Sequence, residues 1–132
     1  MDQHPIARRL HAEAARRGIT IHRAPLEPPL RGASLPDLNL IIVDKALVLP
    51  QYLETCGHEL GHSIYGHGCT DPTTEAQAWR WATRFLVNVD EYARSERINP
   101  HPAAIALDMD LTTNIIFEWR KHHGSQLLTR AA

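Results

Sequence analysis

The chain lacks four features that would assign it to a specialised class of protein. No run of apolar residues approaches the roughly 18–20 that a membrane span needs, and no apolar signal segment follows Met1. The two cysteines, Cys56 and Cys69, are too few for the disulfide framework of a small secreted domain. A formal net charge of −1 provides no general basic field for nucleic acid. We therefore expect a reduced, cytoplasmic protein without a membrane partner.

What is present indicates one α+β domain. The 132 residues are 43% hydrophobic, which is enough to build a packed core. The domain over 1–132 divides into an N-terminal part (1–37), a central part (38–88), a helical C-terminal part (89–124) and a tail (125–132) that we expect to be frayed.

Apolar periodicity and the positions of proline and glycine predict the secondary structure of the first two parts. The predicted elements are a helix over 3–17, a strand over 19–22, a proline-rich loop over 24–37, a hairpin of strands 38–43 and 46–49, a helix over 50–65 and a helix from about 73 to 88.

The segment His58-Glu59-Leu60-Gly61-His62 contains the pattern H-E-x-x-H. Residues four apart lie on the same face of a helix, so the two imidazoles can bind one metal ion. Glu59 lies beside that face, where it can accept a proton from a water that the metal holds. The segment therefore has the parts of a metal-dependent hydrolase.

The remaining residues of the same helix predict where the two histidines point. At about 100° per residue, Leu53, Cys56 and Leu60 form one apolar stripe, and the histidines fall on the opposite side. We expect the stripe to pack on the core and the histidines to face a cleft. Cys56 then behaves as a small buried hydrophobe.

Glu75 is a charged residue within the apolar stripe of the next helix. It shares that stripe with several small and aromatic residues, namely Ala78, Trp79, Trp81, Ala82, Phe85 and Leu86. A carboxylate buried there without a partner would cost several kcal/mol, on the order of the usual penalty for an unpaired buried charge. A metal ion resolves this conflict, so we predict Glu75 as the third protein ligand. The competing interpretation is that Glu75 only complements the helix dipole.

His67 and Asp71 are the two rivals for the position of third ligand. His67 does not match the H-E-x-x-H-x-x-G-x-x-H spacing, because Gly68 stands where that pattern requires the third histidine. We expect His67 to lie at the helix end or to contact a ligand rather than bind metal. Asp71 is explained by capping the following helix, a role that it shares as a candidate with Thr73.

The C-terminal part is predicted to consist of short helices. A helix over about 90–98 is followed by a short helix (103–107), a turn and a longer helix (111–122), and the last two resemble a helix-turn-helix pair. The candidate recognition helix contains no arginine or lysine before Arg120, so we do not expect direct nucleic-acid binding.

Together, His58-Glu59-Leu60-Gly61-His62 and the following Glu75-x-x-Ala78-x-x-Trp81-Ala82 resemble the ImmA/IrrE family of small metallopeptidases from bacteria, prophages and mobile elements. The resemblance covers about residues 38–120, with Gly57 standing where the family commonly has alanine. It implies a small zincin-like α+β fold, with a short antiparallel sheet of about three strands packed on the H-E-x-x-H helix. It also implies one Zn²⁺, with Mn²⁺ as the alternative, held by His58, His62 and Glu75, and Glu59 as general base.

The resemblance further implies a protein substrate, a helix-turn-helix repressor or similar regulator. The residues themselves leave the second oxyanion donor open among Tyr65, His67 and His22. The predicted strand of Ala46, Leu47, Val48 and Leu49 is our candidate for pairing with an extended substrate.

Two alternative functions stay open. One is a non-proteolytic binding module in which His67 or Cys69 completes a closed metal site and the C-terminal helices bind DNA or a regulator. The other is a generic minimal gluzincin peptidase without a repressor substrate.

Overall fold

A computed structural model describes residues 3–131, with side chains over 3–128. It is an α+β protein with a small mixed sheet and seven α-helices within the described range. The helices are α1 (Pro5–Arg16), α2 (Leu49–Ile64), α3 (Pro72–Leu86), α4 (Val89–Ile98), α5 (Pro102–Met109), α6 (Thr113–His123) and α7 (Ser125–Ala131). The strands are β1 (Thr20–Ala24), β2 (Gly32–Leu35) and β3 (Leu40–Asp44), and a 3₁₀ turn at Pro36–Leu38 joins β2 to β3.

The sheet has the strand order β1-β3-β2. It is mixed, so our prediction of an antiparallel sheet is wrong for one of its two strand pairs. β3 pairs in parallel with β1 and antiparallel with β2. The most apolar run of the chain forms the central strand, where Ile41 and Val43 are fully buried and both backbone edges are hydrogen-bonded. Because β3 is apolar, it occupies the buried central position between two strands that precede it in sequence.

The predicted hairpin is wrong in its second strand. Residues 46–49 form a turn and the start of α2, whereas β2 lies within the segment that the prolines predicted to be loop. The backbone N–H of Leu47 donates to the carbonyl of Asp44, and Val48 is the extended residue that precedes the helix. Pro50, in the first turn of α2, has a fixed φ that suits a helix start better than a strand.

The core lies between the sheet, α2 and the C-terminal helices. Trp119, Tyr52 and Tyr92 are its largest buried side chains. Within residues 3–131, no helix is long and apolar enough to cross a membrane. The tail is also more regular than expected, because α7 occupies most of the segment predicted to be frayed.

Candidate metal centre

The orientation predicted for α2 is confirmed. Leu53, Cys56 and Leu60 are fully buried against the core, and the histidines lie on the other side. Burial raises the pKa of the Cys56 thiol to about 12, so this residue is a packed hydrophobe and not a nucleophile. Cys69 is a free, exposed thiol.

Glu75 bridges the two histidines of the motif. Its Oε2 lies 3.0 Å from Nε2 of His58, and its Oε1 lies 2.7 Å from Nε2 of His62. The ligand atoms of the three residues all lie within 4.8 Å of one another, so the group could hold a metal ion. Two imidazole nitrogens and a carboxylate oxygen are donors typical of catalytic zinc sites.

The start of α3 fixes the position of Glu75. Asp71 caps this helix: its side chain accepts from the backbone N–H of Thr74, and the Thr74 hydroxyl accepts from the backbone N–H of Asp71. This capping box places Glu75 in the first turn, directed at α2. Asp71 therefore serves as the cap that the sequence predicted and does not join the ligand group.

Close contact between α2 and α3 brings the carboxylate within reach of the histidines. At Gly61, between the two histidines, a Cβ atom would lie only 2.7 Å from the carbonyl oxygen of Ala78. That distance is shorter than real side chains tolerate, so glycine is required for this approach. The sequence alone did not reveal what Gly61 accommodates.

The charges in the site support one another. Burial of the His58 ring opposes its protonation, but the carboxylates of Glu59 and Glu75 outweigh this effect and raise the pKa of His58. For Glu75, burial favours the neutral acid, yet His58 and His62 lower the pKa of the carboxyl. The side chain of Glu75 is 31% exposed, so it is less buried than its place in the apolar stripe suggested.

A hydrogen-bonded relay orients His62. Its Nδ1 lies 2.9 Å from Nδ1 of His67, and Nε2 of His67 lies 2.8 Å from Oε1 of Gln77. Because the amide oxygen only accepts, neutral His67 donates from Nε2 and accepts at Nδ1. His62 must then donate from Nδ1, so its Nε2 and the Glu75 carboxylate oxygen 2.7 Å away are both acceptors, and a bound cation makes their contact favourable. The relay thus selects the tautomer that a metal ligand needs.

Trp79 fixes the other histidine. Its ring stacks on His58 with centroids 4.2 Å apart and planes inclined by 23°. The sequence placed Trp79 in the apolar stripe of α3 but did not predict this contact. Gln77 was also missed, because it lies on the polar side of that stripe. Its position two residues after Glu75 was the only sequence feature that could have indicated its role beside the site.

A cavity of about 280 Å³ opens beside the three potential ligands. Glu59 lines it together with Gly32, Ala33 and Ser34 of β2. A Cβ at Gly32 would lie 2.6 Å from Cγ2 of Thr55 and 3.2 Å from Cγ of Glu59, so the strand passes very close to α2. The strand beside the site is therefore β2, not the predicted segment Ala46–Leu49.

The three candidate oxyanion donors lie in different places. His67 lines the cavity, although both of its ring nitrogens are engaged in the relay. Tyr65 is 51% exposed and stacks on His67 with ring centroids 5.6 Å apart. His22 is exposed on β1, the edge strand opposite β2, and is not among the residues that line the cavity. The structure thus does not bring His22 to the site.

Among the described residues, the potential ligand group ends at three members. Cys69 lines the cavity but does not belong to the group. His67 contacts Nδ1 of His62, the ring nitrogen that does not face Glu75. The chemistry of the donors fits one metal ion with a coordination position left for water. No family model and no curated protein matches this chain. The functional argument therefore depends on the geometry of the site.

Proposed function

We propose that this protein is a zinc-dependent endopeptidase of the ImmA/IrrE type. The observation that carries the proposal is the convergence of His58, His62 and Glu75 beside Glu59, in a cavity bordered by a sheet edge. Three protein ligands, rather than four, are the number found in catalytic zinc sites. This set favours an enzyme over the alternative of a closed, structural metal site.

Glu59 is the proposed general base. When bound, zinc would supply a Lewis acid that lowers the pKa of a water toward about 7 and polarises the scissile carbonyl. Glu59 lines the cavity, where its carboxylate can accept the proton of the attacking water and deliver it to the leaving amine. Its Oε1 lies 3.6 Å from Nδ1 of His58, so it is adjacent to the ligand group without belonging to it.

The outer edge of β2 is the proposed docking site for the substrate backbone. β2 pairs with β3 on one side only, and Gly32, Ala33 and Ser34 border the cavity. An extended peptide that added to this edge would direct its backbone past Glu59. This role replaces the one that we had assigned to residues 46–49.

We propose a transcriptional regulator of the helix-turn-helix type as substrate, because the H-E-x-x-H motif and the motif that begins at Glu75 resemble those of the ImmA/IrrE family. Direct nucleic-acid binding by α6 receives little support from its surface. Its exposed side chains are Asn114, Phe117 and Lys121, so it presents a single exposed cation, and Arg120 is directed to the Tyr92 hydroxyl at 2.6 Å.

The test separates metal binding from catalysis. Zinc-loaded protein is incubated with a library of unfolded peptides, and the products are identified by mass spectrometry. Glu59→Gln should keep about one zinc per chain but lose cleavage by roughly a hundredfold or more, because the proton acceptor is gone. Glu91→Gln, which alters an exposed carboxylate of α4, is the control and should cleave like wild type. Unchanged cleavage by Glu59→Gln would refute the mechanism.

A further inference from the structure

A second cavity, of about 610 Å³, lies away from the metal centre. It forms where α1, α3, α6 and α7 meet beside the connection to α4. Its polar wall includes Arg9 from α1 and both Arg80 and Arg84 from α3. No part of the proposed peptidase mechanism uses these residues.

The wall of this cavity is positively charged. None of the described residues that line it is acidic, and Asp90 and Glu91 follow the lining residue Val89 without joining the wall. Within residues 3–128, no ion pair joins Arg80 or Arg84 to a carboxylate. Two exposed guanidinium groups thus line one cavity without a carboxylate partner among the described residues, so their donors are available to an anion that enters it.

Arg9 adds a third guanidinium that the structure holds in place. Its Nη2 donates to the carbonyl of Phe85 at 3.2 Å, and its guanidinium carbon lies 4.7 Å from the centre of the Phe85 ring. These contacts use one of the five N–H donors and leave the others available. A guanidinium fixed in this way loses little conformational freedom when it binds an anion.

His123 contributes an uncharged side chain, held by two hydrogen-bond contacts, to the wall of the cavity. Its Nε2 donates to the carbonyl of Arg80 at 3.1 Å and to the Thr83 hydroxyl at 3.0 Å. Burial lowers the pKa of His123, the hydrogen bond to the Arg80 carbonyl raises it in part, and the nearby charges of His122, Arg84 and Arg80 lower it further. The imidazole thus fixes the backbone that carries Arg80, while the arginines supply the charge.

We propose that this cavity binds a small organic molecule with phosphate groups, which Arg9, Arg80 and Arg84 would contact. Arginine is suited to phosphate because its planar fork can donate two parallel hydrogen bonds. The volume is in the range of small-molecule sites, about 300–1,000 Å³. Phe85 and Trp119 give the wall an apolar part for the organic portion. Clustering in one concavity favours a compact ligand over an extended nucleic-acid backbone.

The experiment is calorimetric titration of the zinc-loaded 132-residue protein with fructose 1,6-bisphosphate, inorganic phosphate and fructose. The test variant is R80Q/R84Q. The control is R94Q/R97Q, which removes the same charge from exposed positions on α4 outside the cavity. We expect the bisphosphate to bind most tightly. The test variant should raise its Kd by at least about tenfold, and the control by less than about twofold.

Several results would overturn the proposal. An equal loss in both variants would indicate general electrostatic attraction. Equal affinity for inorganic phosphate and the bisphosphate would indicate an inorganic anion site, and tighter binding of a single-stranded oligonucleotide would indicate a nucleic-acid surface. Absence of binding by every probe would also contradict it. Circular dichroism of both variants checks that they fold, so a loss of binding can be assigned to the cavity.

Discussion

The two cavities share one helix and differ in chemistry. The N-terminal half of α3 supplies Glu75 to a small cavity with two histidines, and its C-terminal half supplies Arg80 and Arg84 to a larger basic one. In the first, each ligand side chain contacts another polar group. In the second, Arg80 and Arg84 have no carboxylate partner among the described residues. One helix thus contributes to a site whose polar groups contact one another and to a second site whose arginines have no carboxylate partner among the described residues.

This difference teaches what each site requires. The hydrogen bond from His62 to His67 and the capping box of α3 hold His62 and Glu75 in place without a metal ion, so the protein preorganises the group. The exposed arginines have no carboxylate partner among the described residues, so an external anion would supply the opposite charge at their cavity. The two sites should therefore respond independently to substitution, which provides a way to test the comparison.

Glu75→Ala should have the largest effect. It removes one of three protein donors, and we expect zinc affinity to fall by about a hundredfold or more. The measurement is competition with a chromophoric chelator. Glu75→Gln, which keeps the shape but removes the charge, should show an intermediate loss. Affinity for fructose 1,6-bisphosphate should stay within about twofold of wild type in both variants.

If Glu75→Ala lowered the affinity for both zinc and the bisphosphate, the two sites would not be independent, because Glu75 would then support α3 as a whole. Unchanged zinc affinity would remove Glu75 from the ligand set.

The sequence predicted the His58, His62 and Glu75 group better than the sheet, for a physical reason. His58 and His62 are four residues apart on one helix, and Glu75 follows in the next helix, so local periodicity was enough to associate them. The pairing of β2 with β3 depends on tertiary contact. A four-residue strand within a proline-rich segment shows no periodicity that would reveal it, and the apolar run at 46–49 resembled a strand more closely.

The basic cavity lay beyond prediction from sequence for a related reason. Its residues extend from Arg9 to Gln126 and come from several separate elements, so no spacing connects them. Arg80 and Arg84 appeared only as the polar side of an amphipathic helix. Trp79 and Gln77 were missed similarly, because side-chain stacking and relay hydrogen bonds are set by packing between helices.

Gly61→Ala should have the next largest effect and should act mainly on the metal end of α3. The added methyl group would collide with the backbone of Ala78, so we expect a loss of about 1–3 kcal/mol in the free energy of unfolding. Separation of the helices should also move Glu75 from the histidines and weaken zinc binding. Chemical denaturation and the chelator assay measure the two effects.

Gly57→Ala is the matched control for Gly61→Ala. Its Cβ would meet the flexible end of Leu86 at 3.1 Å, not a backbone atom. Alanine also favours the helix by about 1 kcal/mol relative to glycine, so this variant should be close to neutral. Equal destabilisation by both substitutions would contradict the close backbone contact as the cause.

His67→Phe should have the smallest effect and tests whether preorganisation of the metal group depends on its surroundings. The phenyl ring keeps the aromatic character next to Tyr65 but removes the acceptor for Nδ1–H of His62. Because partners of this kind orient metal-binding histidines, we expect zinc affinity to fall by about tenfold. Tyr65→Phe, which leaves the relay intact, should bind zinc like wild type. If His67→Phe also retained full affinity, the motif and Glu75 would be sufficient for metal binding, and the relay through Gln77 would be only a packing contact.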